Sequence, residues 1–136
     1  MSDWPRPGFT AIDLADPFEI HVGPAYQQGP SGERRFAFRV DDRHVNRRNV
    51  VHGGMLLTFA DLALGAAAWD FADRAPSVTL GMQTQFLKSA QLGDVIEVKP
   101  QLMRKTRALL FIRGDFKVAD DTVFVASSVW KQLGQD

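Results

Sequence analysis

The sequence has no cysteine, so disulfides, thiolate catalysis and cysteine-ligated zinc are excluded. That absence fits a cytoplasmic protein. Histidine is scarce. His21, His44 and His52 are scattered without metal-ligand spacing, and no metal site is expected. Neither sign of charge is in excess: sixteen Lys and Arg balance sixteen Asp and Glu, so no global field draws nucleic acid. No segment offers a DNA-binding helix-turn-helix. Met1–Gly8 lacks the basic start and apolar run of a signal peptide. There is no Gly-x-Ser-x-Gly elbow and no phosphate-cradling glycine loop, which argues against a Ser-His-Asp hydrolase. The longest apolar stretch is interrupted by Asp61, Gly65 and Asp70 and makes a poor membrane span. No repeat, linker or low-complexity segment is present, and 136 residues suit one domain or one subunit of something larger.

What is present centres on one stretch. A polar loop, Asn46–His52, ends in Gly53 and Gly54, and an apolar run to about Phe71 follows. Its pattern predicts a helix that is apolar on nearly every side and swallowed by the core. Asp61 lies within it. A lone carboxylate there must be paired, hydrogen-bonded or protonated. Two readings stay open for Asp61: a structural hydrogen-bonding role or chemistry. The glycines bare the first-turn N–H groups, which carry the positive end of the helix dipole and could receive a polarised carbonyl oxygen. Asp61 is roughly 10 Å further along at 1.5 Å per residue, so a site using both draws more easily on two chains. His52 is placed to cap the helix start.

Taken in order, residues 1–16 read as an irregular N-terminal arm, with room for a short helix over Phe9–Leu14 capped by Thr10. Residues 17–136 read as a single domain. Phe18–Gln27 is expected as a strand on the alternation of Phe18, Ile20 and Val22, and Phe36, Phe38 and Val40 mark a second. Asp70 and Asp73 oppose the helix dipole, so that helix end is expected to reach solvent. Four extended runs follow: Ser77–Lys88, Val95–Arg104, Arg107–Val118 and Thr122–Leu133. In the first, Val78, Leu80, Met82, Thr84 and Phe86 should share one face, with Thr79, Gly81, Gln83 and Gln85 on the other. Pro100 argues for an edge or a bulge in the second. Short turns imply antiparallel pairing. The expected class is α+β, an antiparallel sheet around one long helix. One thin sheet leaves an edge uncovered, and pairing of two copies along Ser77–Lys88 would cover it.

Asn46, His52-Gly53-Gly54 and Asp61, with Pro76–Met82 and Leu92–Ile96 beyond, resemble the hotdog-fold acyl-CoA thioesterases of the phenylacetic-acid-degradation (PaaI) type. The likeness runs from about Glu33 to Leu133. It implies hydrolysis of an aryl- or medium-chain acyl-CoA by a homodimer or dimer of dimers. Coenzyme A would come as part of the substrate, with no other cofactor. It further implies that Asp61 acts as general base or nucleophile and that the Gly53 N–H faces the thioester oxygen. Asn46 and His52 would position reactants and hold the loop, and Thr79 would orient water near Asp61 across the dimer interface. Gly54 belongs with the substrate-binding residues. Coenzyme A phosphates need cations, and Lys88, Arg104, Lys105 and Arg107 are the candidates, with Arg47 and Arg48 behind them. All of these are also ordinary solvated charges. Three rivals remain: a hotdog hydratase or dehydratase, a non-catalytic acyl-CoA-binding module, and a scaffold subunit with a structural Asp61.

Overall fold

A computed structural model describes residues 3–134, so Met1 and Ser2 of the expected arm lie outside the described residues. The long helix, α2, spans Gly53–Phe71. It is rich in Ala and Leu, and Thr58 is its only β-branched residue, so little side-chain entropy opposes it. Before it come β1 (Thr10–Ala11), α1 (Pro17–Val22), β2 (Tyr26–Gln28) and β3 (Arg35–Arg39). After it come β4 (Ser77–Phe86), β5 (Val95–Val98), β6 (Gln101–Lys105), β7 (Leu109–Val118) and β8 (Asp121–Gln132). The strands form one antiparallel sheet in the order β1-β2-β3-β5-β7-β8-β4, with β6 also beside β7. This is the expected hotdog arrangement, a sheet wrapped around one helix.

The helix packs through Leu56, Phe59, Ala60, Ala63, Leu64, Ala67 and Ala68, all buried. The alanines let it approach the sheet closely. Gly114 on β7 completes that approach, since a Cβ there would lie 2.9 Å from both Val98 and Phe116 and 3.2 Å from Leu64. A chain of rings runs through the core: Phe38 to Phe59 at 4.7 Å, Phe59 to Phe116 at 5.7 Å, and Phe116 to Phe124 at 5.3 Å between centroids. Each of these buried rings contributes roughly 1.5–3 kcal/mol.

Several expectations need correction. Phe9–Leu14 holds no helix; Thr10 and Ala11 pair with Gln27 and Tyr26 instead. Phe18–Gln27 is not one strand. Asp16 caps α1 by accepting from Glu19 N–H at 2.7 Å, and Pro17 opens the first turn. Those local signals outweigh the alternation, and Phe18 and Ile20 face solvent. Val95–Arg104 divides at Lys99-Pro100 into β5 and β6, because proline has no N–H for the ladder.

Nor is α2 enclosed. Gly54, Leu57, Asp61 and Trp69 form an open stripe down one side, with Leu57 41% and Trp69 43% exposed. At its C-terminal end Asp73 and Arg74 reach solvent as expected, but Asp70 does not. Asp70, with 6% side-chain exposure, is gripped by Arg34 through Nε and Nη2, both at 2.8 Å. Gly32 N–H adds a third bond at 3.1 Å. Arg34 also donates to Ala66 O and lies over the Phe36 ring.

Candidate functional site

The loop before α2 is built on itself. Asn46 Oδ1 accepts from Arg48 N–H at 2.8 Å, and Asn49 takes a positive φ of 61° to close the turn. His52 N–H donates to His44 O at 2.8 Å. His52 is the N-cap of α2, its Nδ1 accepting from Gly54 N–H at 2.9 Å. The expected cap is therefore present, and it occupies the Gly54 donor. Gly53 N–H has no hydrogen-bond partner among the described residues. It begins the helix, where no preceding turn supplies an acceptor. On one side it is walled by Phe86, whose ring would lie 3.2 Å from a Cβ at position 53.

Asp61 is exposed in the single chain and accepts from Thr79 Oγ1 at 2.7 Å through Oδ1. Its Oδ2 has no protein partner among the described residues. Thr79 reaches it because of a local irregularity. The pairing of β4 with β8 shifts between Thr79 and Gly81, so the alternation changes parity. Thr79 opposes buried Trp130, and Met82, Thr84 and Phe86 oppose Ser128, Ala126 and Phe124. Thr79 therefore shares the helix-facing side with Met82, Thr84 and Phe86. The two-face division expected for this strand holds only beyond the bulge, and a uniform period of two could not reveal the change.

Two grooves meet at Asp61. One, of about 850 Å³, is lined by Ile12, Leu14, Gly65, Trp69, Val78 and Trp130. The other, of about 680 Å³, is lined by Pro17, Phe18, Leu57 and Thr58. Asp16 and Glu19 border both. Sequence reading missed this wall. The signal was available: Asp16-Pro17-Phe18-Glu19 has a cap, a first-turn proline and an acid at the third helical position. Burial, then the charge and hydrogen bond of Asp16, then the charge of Asp61, push the Glu19 carboxyl above its ordinary pKa.

The remaining expected residues do not converge. Gly53 and Asp61 are on one helix, about 12 Å apart along its axis. Lys88 lies just beyond Phe86, at the N-terminal end of α2, and pairs with Asp121 at 2.7 Å. Lys105 lies at the other end and donates to Phe71 O at 2.8 Å. Arg104 and Arg107 flank it, exposed and without ion pairs among the described residues. One chain cannot bring Lys88 and this cluster to one phosphate across a 19-residue helix.

The profile of the thioesterase superfamily matches residues 48–125. A putative esterase of Pseudomonas aeruginosa is 30% identical over 125 residues, covering 90% of this chain and 93% of its own. Mouse acyl-coenzyme A thioesterase 13 is 25% identical over 77 residues, which is 57% of this chain and 55% of that one. In structure, a mutant of the phenylacetic acid degradation protein PaaI from Thermus thermophilus superposes with a TM-score of 0.77 at 23% identity, covering 87% of this chain and 100% of that one. At that identity the likeness speaks for the fold.

Proposed function

The chain belongs to the thioesterase superfamily, and from that premise we propose that it hydrolyses the thioester of an aryl- or medium-chain acyl-coenzyme A at Asp61. One observation carries the reading. Asp61 is anchored through one oxygen by Thr79 at 2.7 Å, while the other oxygen is open on an exposed helix face beside the edge strand β4. A structural carboxylate has its acceptor oxygens filled; this one is aimed and left half free.

In the proposed reaction Asp61 takes a proton from water as the water attacks the thioester carbonyl, or attacks that carbon itself and is then released by water. The C–S bond breaks. The products are the carboxylic acid and coenzyme A, whose sulfur takes up a proton. The oxyanion is met by a free N–H at a helix start, which describes Gly53. Losing such a donor typically costs about 3 kcal/mol of transition-state stabilisation. Since Gly53 of the same chain is two turns away, the donor comes from a second copy, paired along β4. His52 and Asn46 hold the loop that presents Gly53, and Thr79 fixes Asp61. Among the basic candidates, Arg104 and Arg107 retain free guanidinium groups for phosphate, whereas Lys88 and Lys105 are engaged.

A hydratase would pair a histidine with an acid, and α2 carries Asp61 but no histidine. The test is release of free thiol from a panel of acyl-coenzyme A esters by wild type and Asp61→Asn. Turnover that collapses in the mutant is expected. A folded protein inert on every member, or one that hydrates crotonyl-coenzyme A instead, sinks the proposal. Sedimentation at micromolar concentration should show a dimer; a monomer with full activity removes the shared site.

A further inference from the structure

We propose that Asp16 and Glu19, on the first turn of α1, determine specificity by barring acyl groups that end in a carboxylate, which reserves the Asp61 grooves for neutral, apolar acyl groups. This rests on the thioesterase reading of the same site.

The groove has room and an apolar lining. Ile12, Leu14, Trp69, Val78 and Trp130 supply its walls. Gly65 lets the Trp130 wall sit against α2, because a Cβ there would come within 3.1 Å of the Trp130 ring. Its charge is one-sided. Asp13, Asp16, Glu19 and Asp61 line it with no Lys, Arg or His, in a chain whose acids and bases balance overall. None of these four carboxylates has an ion-pair partner among the described residues. Nor does any group of three acids or histidines among those residues converge to hold a metal ion. The negative charge of this chain's own wall therefore faces whatever enters. Burial first, then Asp16 and lastly Asp61 raise the Glu19 pKa, in keeping with the closeness of these carboxyls in the groove.

The wall is fixed in place. Asp16 caps its own helix. At the other end Arg43 donates to His21 O at 2.6 Å and to Gly23 O, and His44 donates from Nε2 to Val22 O at 2.6 Å. Arg43 is also paired with Asp41, so it brings no spare cation to the groove. The helix that carries the two acids is thus held at both ends, and Asp16 is held by its bond from Glu19 N–H. The same field gives the substrate a direction. The coenzyme A phosphates must lie outside this groove, so the acyl end enters it.

The experiment compares hexanoyl- and adipoyl-coenzyme A, which match in length and differ by a terminal carboxylate. Wild type should show kcat/KM lower by about tenfold or more on adipoyl-coenzyme A. Asp16→Asn with Glu19→Gln keeps a good helix cap and the side-chain shapes, and should shrink that ratio to within about threefold. Equal rates in wild type, or an unchanged ratio in the double variant, overturn the inference. Calorimetry with the non-hydrolysable thioethers of the same pair separates it from the thioesterase reading. If nothing is hydrolysed, that reading has failed; weaker binding of the adipoyl thioether, relieved in the double variant, still supports the exclusion, and equal affinities refute it.

Discussion

Two aspartates on α2, Asp61 and Asp70, stand nine residues apart, about two and a half turns, and so face opposite sides of the helix. Asp70 is buried and receives three hydrogen bonds, two of them from Arg34. Asp61 is exposed, receives one from Thr79, and has no cation among the described residues. Both carboxylates interrupt the same apolar helix. The difference lies in their donors. A carboxylate whose lone pairs are filled joins elements together, here α2 to the segment before β3. One that is held at a single oxygen leaves the other open.

Replacing each by asparagine should break the comparison in opposite ways. Asp61→Asn removes the proposed base and should lower kcat by about 10²–10⁴-fold. Its melting temperature should hold or rise, because no buried pair is lost. A variant that melts early but retains full turnover would make Asp61 structural. Asp70→Asn should do the reverse. Leaving Arg34 without its partner costs about 3–5 kcal/mol. For a domain of this size that lowers Tm by roughly 10 °C, at about 2–4 °C per kcal/mol. The folded fraction should still turn over substrate. Urea unfolding alongside thiol release reads both variants, and equal loss of stability in the two would erase the distinction.

The sequence pattern could show that Asp61 was unusual but not that it was exposed. An almost uniformly apolar helix has no polar face to point outward, so enclosure was the natural expectation. Leu57, Asp61 and Trp69 share an open stripe only because the sheet stops at β4. The long helix, its His52 cap and the alternation of β3 were legible because each is set by neighbours in the chain. The Arg34–Asp70 pair was not, since the partners are 36 residues apart and nothing local joins them. The bulge that turns Thr79 inward was hidden for a related reason: one extra residue reverses a strand's faces without changing its composition. Helix α1 is announced by Asp16, Pro17 and Glu19, but the alternation of Phe18, Ile20 and Val22 over the same residues imitates a strand.

Thr79 sharpens the comparison from the donor side. Thr79→Ala removes the hydroxyl that fixes Asp61. A hydrogen bond to a charged group is worth about 1.5–3 kcal/mol, so kcat should fall by roughly ten- to 100-fold. Thr79→Ser keeps the donor and should recover most of the rate. If alanine and serine behave alike, the hydroxyl does not orient Asp61. Stability should change little in either variant, in contrast to any change at Arg34.

The smallest effect concerns Glu19, which feels Asp61 but not Asp70. Burial and the nearby Asp16 and Asp61 raise its pKa above 4.5. The folded protein therefore holds this proton to higher pH than the unfolded chain does. Below both values Glu19 is neutral in both states, and its relative stability is fully present. That stability is lost as pH rises through the folded pKa, where the side chain must ionise among other acids. Wild type and Glu19→Gln should thus have similar urea midpoints near about pH 4, with Glu19→Gln the more stable by pH 7. Introducing Asp61→Asn should narrow that separation, because one source of the repulsion is gone. Introducing Asp70→Asn should leave it unchanged, since that carboxylate faces the other side of the helix and is neutralised by Arg34. A separation that responds equally to both would place Glu19 in a general field of the chain, and the special pairing of α1 with Asp61 would fall with it.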